Sequence, residues 1–154
     1  MASRLRALAD GFTKWQSRSR AEQGLFLEAY VLLGAARLAV AFLPFTWLAA
    51  SLGRGLDQPG SAVEPGDLAR ARQVGWAVRT AAGHTPWASV CLPQAVTAKW
   101  MLRRRRIAGT LYLGVAKGGT PADGIRAHAW LRCGDEILTG ERGHAGFVVI
   151  STFS

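Results

Sequence analysis

Apolar positions recur at helical steps along the first third of the chain. Leu5, Leu8, Phe12 and Trp15 fall three and four apart, with Arg4, Arg6 and Lys14 off that stripe, the spacing of one helix face. After the polar run Ser17–Arg20 the pattern predicts a second, more apolar helix. It carries Leu25, Phe26, Tyr30, Val31, Leu32 and Leu33, then Leu38 to Leu48. Glu28 and Arg37 interrupt it, and Pro44 should kink or end it. The charge-free stretch 38–53 is shorter than the roughly 18 residues that argue for a membrane span. Burial against the rest of the chain or a partner is therefore expected, with peripheral contact of one helix face at a membrane as the alternative.

Turn formers dominate Asp57–Gly66, which reads as a linker. Asp67 then stands where an N-cap is expected, ahead of Leu68, Ala71, Val74 and Val78, and that helix should stop near Gly83. From about Thr85 the pattern changes. One helix is predicted at roughly 90–105. Segments of β type follow at Thr110–Val115, Arg126–Cys133, Glu136–Thr139 and Phe147–Ser151, joined by glycine-rich turns. One helix feeding an antiparallel meander predicts an α+β fold. The expected organisation is a helical section over 1–56, a linker over 57–66 and a core over 67–154.

Composition narrows the class. A chain of 154 residues with 49% apolar and 19% charged residues is a folded domain, not a solvating segment. Two cysteines, Cys91 and Cys133, cannot staple a secreted mini-domain. With three histidines they form no close-spaced ligand pairs, so neither a structural zinc nor another cofactor is expected. Arg4, Arg6 and Asp10 break any apolar run after Met1, so no signal peptide is expected and a cytoplasmic, reducing setting is the default. The net charge of +9 comes mostly from arginine, since lysine occurs only at Lys14, Lys99 and Lys117. Such an excess suits an acidic peptide, an anionic membrane or nucleic acid, and GC-rich coding DNA also inflates arginine with no function attached. The run Arg103–Arg106 is most simply a solvated helix end that complements the helix dipole.

The candidate chemistry starts at Cys91. Pro93 lacks an N–H and fits a helix only in its first turn, so the helix carrying Ala95, Val96, Met101 and Leu102 must begin near Val90 or Cys91. A thiol at a helix N-terminus meets free N–H groups and the positive end of the dipole, which favour thiolate. His128 lies in a short apolar strand, Ala127–Leu131. A cysteine at a helix start with a histidine on a later strand is the layout of papain-like cysteine enzymes. If Gly134-Asp135 is a two-residue turn, Cys133 pairs with Glu136 and His128 faces Glu141. A carboxylate there could orient the imidazole. Cys133, five residues from His128, falls on the other strand face and reads as structural. Trp87, Trp100 and Trp130 read as core or cleft wall, while His84 and His144 have no placed partner.

Cys91-Leu92-Pro93-Gln94-Ala95, the arginine-rich end of that helix and His128-Ala129-Trp130 together resemble the transglutaminase-like leader peptidases of lasso-peptide biosynthesis. These are the B proteins, or the C-terminal half of fused B proteins. The resemblance is specific over about 85–154. It implies a papain/transglutaminase-like core, with the nucleophile helix packed on an antiparallel sheet, and a peptidase that removes the leader from a ribosomally made precursor peptide. Cys91 would be the nucleophile and His128 the base. The family's acidic member is usually an aspartate on the following strand; the nearest acid here is Glu141. The implied partners are a macrolactam-forming cyclase and a small leader-binding recognition protein. A recognition domain of ~80 residues does not fit before residue 85 beside these helices, so the latter is expected in trans.

The same Cys-His-acid set would serve acyl transfer to an amine. A non-enzymatic basic module binding nucleic acid or membrane is the contrasting class. No nucleic-acid motif is recognisable, and no nucleic-acid partner is expected.

Overall fold

In the computed structural model, residues 18–53, 62–117 and 124–154 are described. The stripe Leu5–Trp15 and half of the linker, residues 57–61, lie outside them. Helix α1, Arg20–Phe42, opens on a capping box. The Ser19 hydroxyl accepts from the Glu22 N–H and the Glu22 carboxylate accepts from the Ser19 N–H, which satisfies two otherwise orphaned donors. It ends as Pro44 dictates: Leu43 is extended, and α2, Phe45–Leu52, starts directly after the proline. Helix α3 runs Pro65–Ala82 with Gly83 as its cap. It begins two residues before the expected Asp67 cap, because Pro65 supplies a φ already suited to the first helical position. Asp67 instead pairs with Arg70 inside the first turn. Helix α4 covers Cys91–Arg104.

Strands β1 (Thr110–Lys117), β2 (Ile125–Cys133), β3 (Glu136–Thr139) and β4 (Val148–Phe153) form one antiparallel sheet in the order β3-β2-β1-β4. The first three are a meander, as expected. The fourth is not its continuation: β4 crosses to the far edge and pairs with β1. The crossing segment carries a short 3-10 turn, His144–Gly146, over the outer face of the sheet.

Strand alternation gives the sheet two unlike faces. The inner face presents Leu111, Leu113, Ala129, Leu131 and Cys133 to α4 and the helical core. Small residues on α3 (Ala71, Gly75, Ala77, Ala81) and α1 (Ala29, Ala36, Ala39) are buried and let the helices approach closely. The outer face holds Tyr112 stacked on Trp130, with rings 5.5 Å apart and nearly parallel. α1 is long and apolar enough to cross a membrane, yet its Ala29–Leu33–Ala36–Ala39 stripe is packed into this core. Its other side leaves Leu38 and Phe42 exposed, continuous with exposed Leu43, Phe45 and Trp47 at the turn into α2.

The arginine run does more than finish α4. Arg105 holds the Glu28 carboxylate through two hydrogen bonds, at 3.1 and 2.6 Å, and Arg104 lies 3.4 Å from it. Arg103 donates to the Ser51 carbonyl. The end of α4 is thus tied to both α1 and α2. The hydrogen bond from Arg105 holds the Glu28 carboxyl below its usual range, against an opposing effect of burial.

A depressed carboxylate stabilises the fold above its unfolded pKa and loses that contribution as pH falls through its folded pKa. Glu28→Gln should therefore lower stability by roughly 1–2 kcal/mol near neutral pH. The difference from the unsubstituted chain should shrink as pH falls below ~4. Urea unfolding at several pH values measures both.

Candidate active site

Cys91 is the first residue of α4, as Pro93 at the third position requires. The cap residue Val90 has extended backbone and offers no side-chain acceptor. The thiol is half-buried and lines a shallow cavity of about 180 Å³ between the start of α4 and the sheet. Leu92, Leu113, Val115, Ala127 and Ile150 make its wall almost wholly aliphatic, and His128 belongs to the same wall. Ile150 reaches it through a bulge. Leu113 pairs with Ser151 and Gly114 with Val149, so Ile150 is an extra residue in β4, and such an insertion re-aims a side chain.

His128 is held on the outer side of β2. Its neighbours Ala129 and Leu131 pack into the helical core, and alternation sends His128 and Trp130 the opposite way. The imidazole centroid lies 5.8 Å from Trp130 and 5.0 Å from Phe147. Nε2 is 2.8 Å from the Gly140 carbonyl oxygen. A carbonyl only accepts, so Nε2 carries the proton and Nδ1 is the basic nitrogen of the neutral ring. No hydrogen bond joins the Cys91 thiol to the imidazole among the described residues. The structure brings nucleophile and histidine to one cavity wall but on opposite sides of β2.

The expected opposition of His128 and Glu141 is corrected by the register. The Gly134-Asp135 turn forms, and Cys133 does pair with Glu136. A bulge between Leu131 and Arg132 then shifts the pairing by one residue, so Leu131 faces Thr139, where β3 ends. Glu141 lies beyond that end, exposed, and the group that meets His128 is the backbone carbonyl of Gly140. Only glycine fits there. Its φ is +75°, and a Cβ would fall 2.3 Å from the Ala129 carbonyl oxygen and 2.8 Å from the Trp130 Cβ. The sequence signal for this residue was a glycine directly after a short strand, which marks a turn and says nothing about what its carbonyl meets. Gly114, opposite His128 on β1, is also required by space. A Cβ there would lie 2.9 Å from the Trp130 ring and from the Phe147 Cβ.

Cys133 is the contrasting thiol. It is fully buried on the inner face, with Sγ 3.2 Å from the Ala108 carbonyl. Burial pushes it up from the ordinary thiol range, and the charges of Asp67 and Glu136 add to the shift. His84, just past the end of α3, bonds the Thr80 carbonyl of that helix, and His144 bonds the Glu141 carbonyl while lying against Trp130. Trp100 donates to the Ser51 hydroxyl, and Trp87 packs against Tyr30. Among the described residues no group of three or more His, Cys, Asp or Glu could hold a metal ion.

The model of the transglutaminase-like superfamily matches residues 36–152, a span that starts inside α1 and takes in the whole sheet except the last residue of β4. No curated protein and no solved structure matches the chain. The helix-start cysteine, the antiparallel sheet bearing His128 and the extent of that match agree: the chain belongs to the transglutaminase-like superfamily.

Proposed function

We propose that this chain is a cysteine peptidase that removes the leader from a ribosomally made lasso-peptide precursor. In this reading it works with a separate leader-binding protein, ahead of a macrolactam-forming cyclase. The observation that carries the proposal is Cys91 at the uncapped start of α4, on a cavity wall shared with the strand of His128. Membership of a superfamily rich in cysteine peptidases and acyl transferases supports it, as does the Cys91–Ala95 and His128–Trp130 motif pair.

The Cys91 thiolate attacks the carbonyl after the last leader residue, and the backbone N–H of Cys91 is a natural donor to the oxyanion. His128 takes up the thiol proton and returns it to the departing amine. Water then cleaves the thioester. This chemistry requires the imidazole on the Cys91 side of β2. The Ile125–His128 end of β2 lies past the last residue of β3 and is paired with β1 alone, with Ile125, Arg126 and Ala127 exposed. It is the least anchored part of the strand. The register with β1 is regular there in this structure; a one-residue bulge would turn His128 over, and in this reading a leader-loaded partner that prefers such a form supplies the bias. The purified chain alone should accordingly be nearly inactive.

The deciding experiment is mass analysis of precursor incubated with this chain, with and without the leader-binding protein. Release of the leader only in the mixture supports the reading. Cleavage by the chain alone removes the need for a partner, and no cleavage in either overturns the peptidase. The aliphatic cavity is poor at holding a hydrolytic water, which favours a second reading, acyl transfer to an amine. An added amine then appears in the product mass.

Three outcomes follow for the residues. Iodoacetamide at neutral pH should label Cys91 well before buried Cys133 and abolish cleavage; peptide mapping reads the order. His128→Ala should slow single-turnover cleavage by roughly 10²- to 10⁴-fold. Gly140→Ala should destabilise the fold by roughly 1–3 kcal/mol, since the backbone there is strained for any L side chain, whereas Glu141→Gln should leave cleavage close to that of the unsubstituted chain.

A further inference from the structure

β4 is an edge strand whose outer side is unpaired among the described residues. Val148, Val149 and Ile150 are 71%, 45% and 63% exposed. The strand, Val-Val-Ile-Ser-Thr-Phe, carries neither charge nor proline, the two residue types that usually blunt an exposed edge. Two cavities flank it on opposite faces of the sheet. Ile150 lines the inner one with Cys91. Val149 lines an outer one of about 400 Å³, floored by Tyr112 and Trp130 and edged by Arg132, Asp135 and His144. We infer that the free edge of β4 is the docking strand for the substrate peptide. The peptide adds to the sheet as a fifth strand, with alternate side chains entering the Cys91 cavity and the outer aromatic cavity.

The choice of occupant follows from the site already described. A strand added to an edge lies ~4.8 Å out and sends successive side chains to opposite faces. Main-chain hydrogen bonds then supply affinity, and pockets on alternate sides supply selectivity. The bulge at Ile150 puts one of those pockets against the thiol. The aliphatic inner cavity takes a small apolar side chain. The outer one, with its aromatic floor and polar rim, takes an aromatic or hydroxyl-bearing one. This inference rests on the peptidase reading for its substrate, a peptide backbone, but not for its test.

The probe is the synthetic peptide Val-Thr-Val-Thr-Val carrying a chloroacetamide at one end or the other. The Cys91 thiolate displaces chloride, forming a thioether, and the thiol proton goes to solvent. Docking on β4 should make Cys91 alkylation by at least one of the two peptides about tenfold faster than by chloroacetamide itself, the worth of one or two main-chain hydrogen bonds. N-methylation at every second residue should abolish that gain, while methylation at the intervening residues should leave it. Val148→Lys should also abolish it, with the rate for chloroacetamide unchanged as the control for an intact site. No gain with either peptide, a gain indifferent to which amides are methylated, or a gain that survives Val148→Lys would overturn the proposal. So would a dimer in sedimentation that Val148→Lys dissociates, since a second copy would then own the edge. If the pattern holds while precursor is not cleaved, the peptidase reading fails and the docking strand stands.

Discussion

The two-residue alternation of β2 is the constraint on which the rest of this structure depends. Ala129, Leu131 and Cys133 are sealed against α4 and the helices behind it. That burial fixes the register, because a slip of one residue would expose three core side chains at once. With the inner face fixed, Trp130 is committed to the outer one, and His128 lies there beside it. Everything on that face follows: the Tyr112–Trp130 stack, the glycine required at position 114, and the crossing segment that lays Phe147 and His144 over the rings. The lock weakens only towards Ile125, past the end of β3, and His128 is located at that boundary.

Much of the fold was legible in the sequence because it is written in local terms. Pro44 set a helix end, Pro93 set the start of α4 to within a residue, and the Gly134-Asp135 turn set the β2–β3 hairpin, whereas the start of α3 falls at Pro65 and not after the expected cap at Asp67. Non-local choices were not legible. Nothing in Val148–Phe153 announces that it pairs with β1 rather than with β3. A bulge leaves no trace in composition, so the shift between Leu131 and Arg132 was invisible and carried Glu141 away from its expected place opposite His128. The arginine run read as a solvated helix end because its acceptor, Glu28, is remote in sequence and interrupts an otherwise apolar helix. In the folded chain that interruption is a clamp between α1 and α4.

Candidate chemistry divides the same way. Cys91 could be placed from one proline, and its contrast with Cys133 from strand parity. The relation between Cys91 and His128 depends on which side of a strand a ring projects, and therefore on the packing of its neighbours. The superfamily match assigns the scaffold. The arrangement of the imidazole belongs to this chain's own sheet.

The Gly140 carbonyl illustrates a different kind of economy. A carboxylate that holds a histidine is a property of one side chain: it can be lost by one substitution and is switched off by acid. A carbonyl is present on every residue and never titrates. What makes it available to His128 is the path of the chain, a left-handed step right after β3 that no larger residue can take without colliding with Ala129 and Trp130. The information that holds the ring is therefore stored as a missing side chain. A search for an acid at this position would pass over it, and a comparison of sequences would find it only as a small residue at a turn.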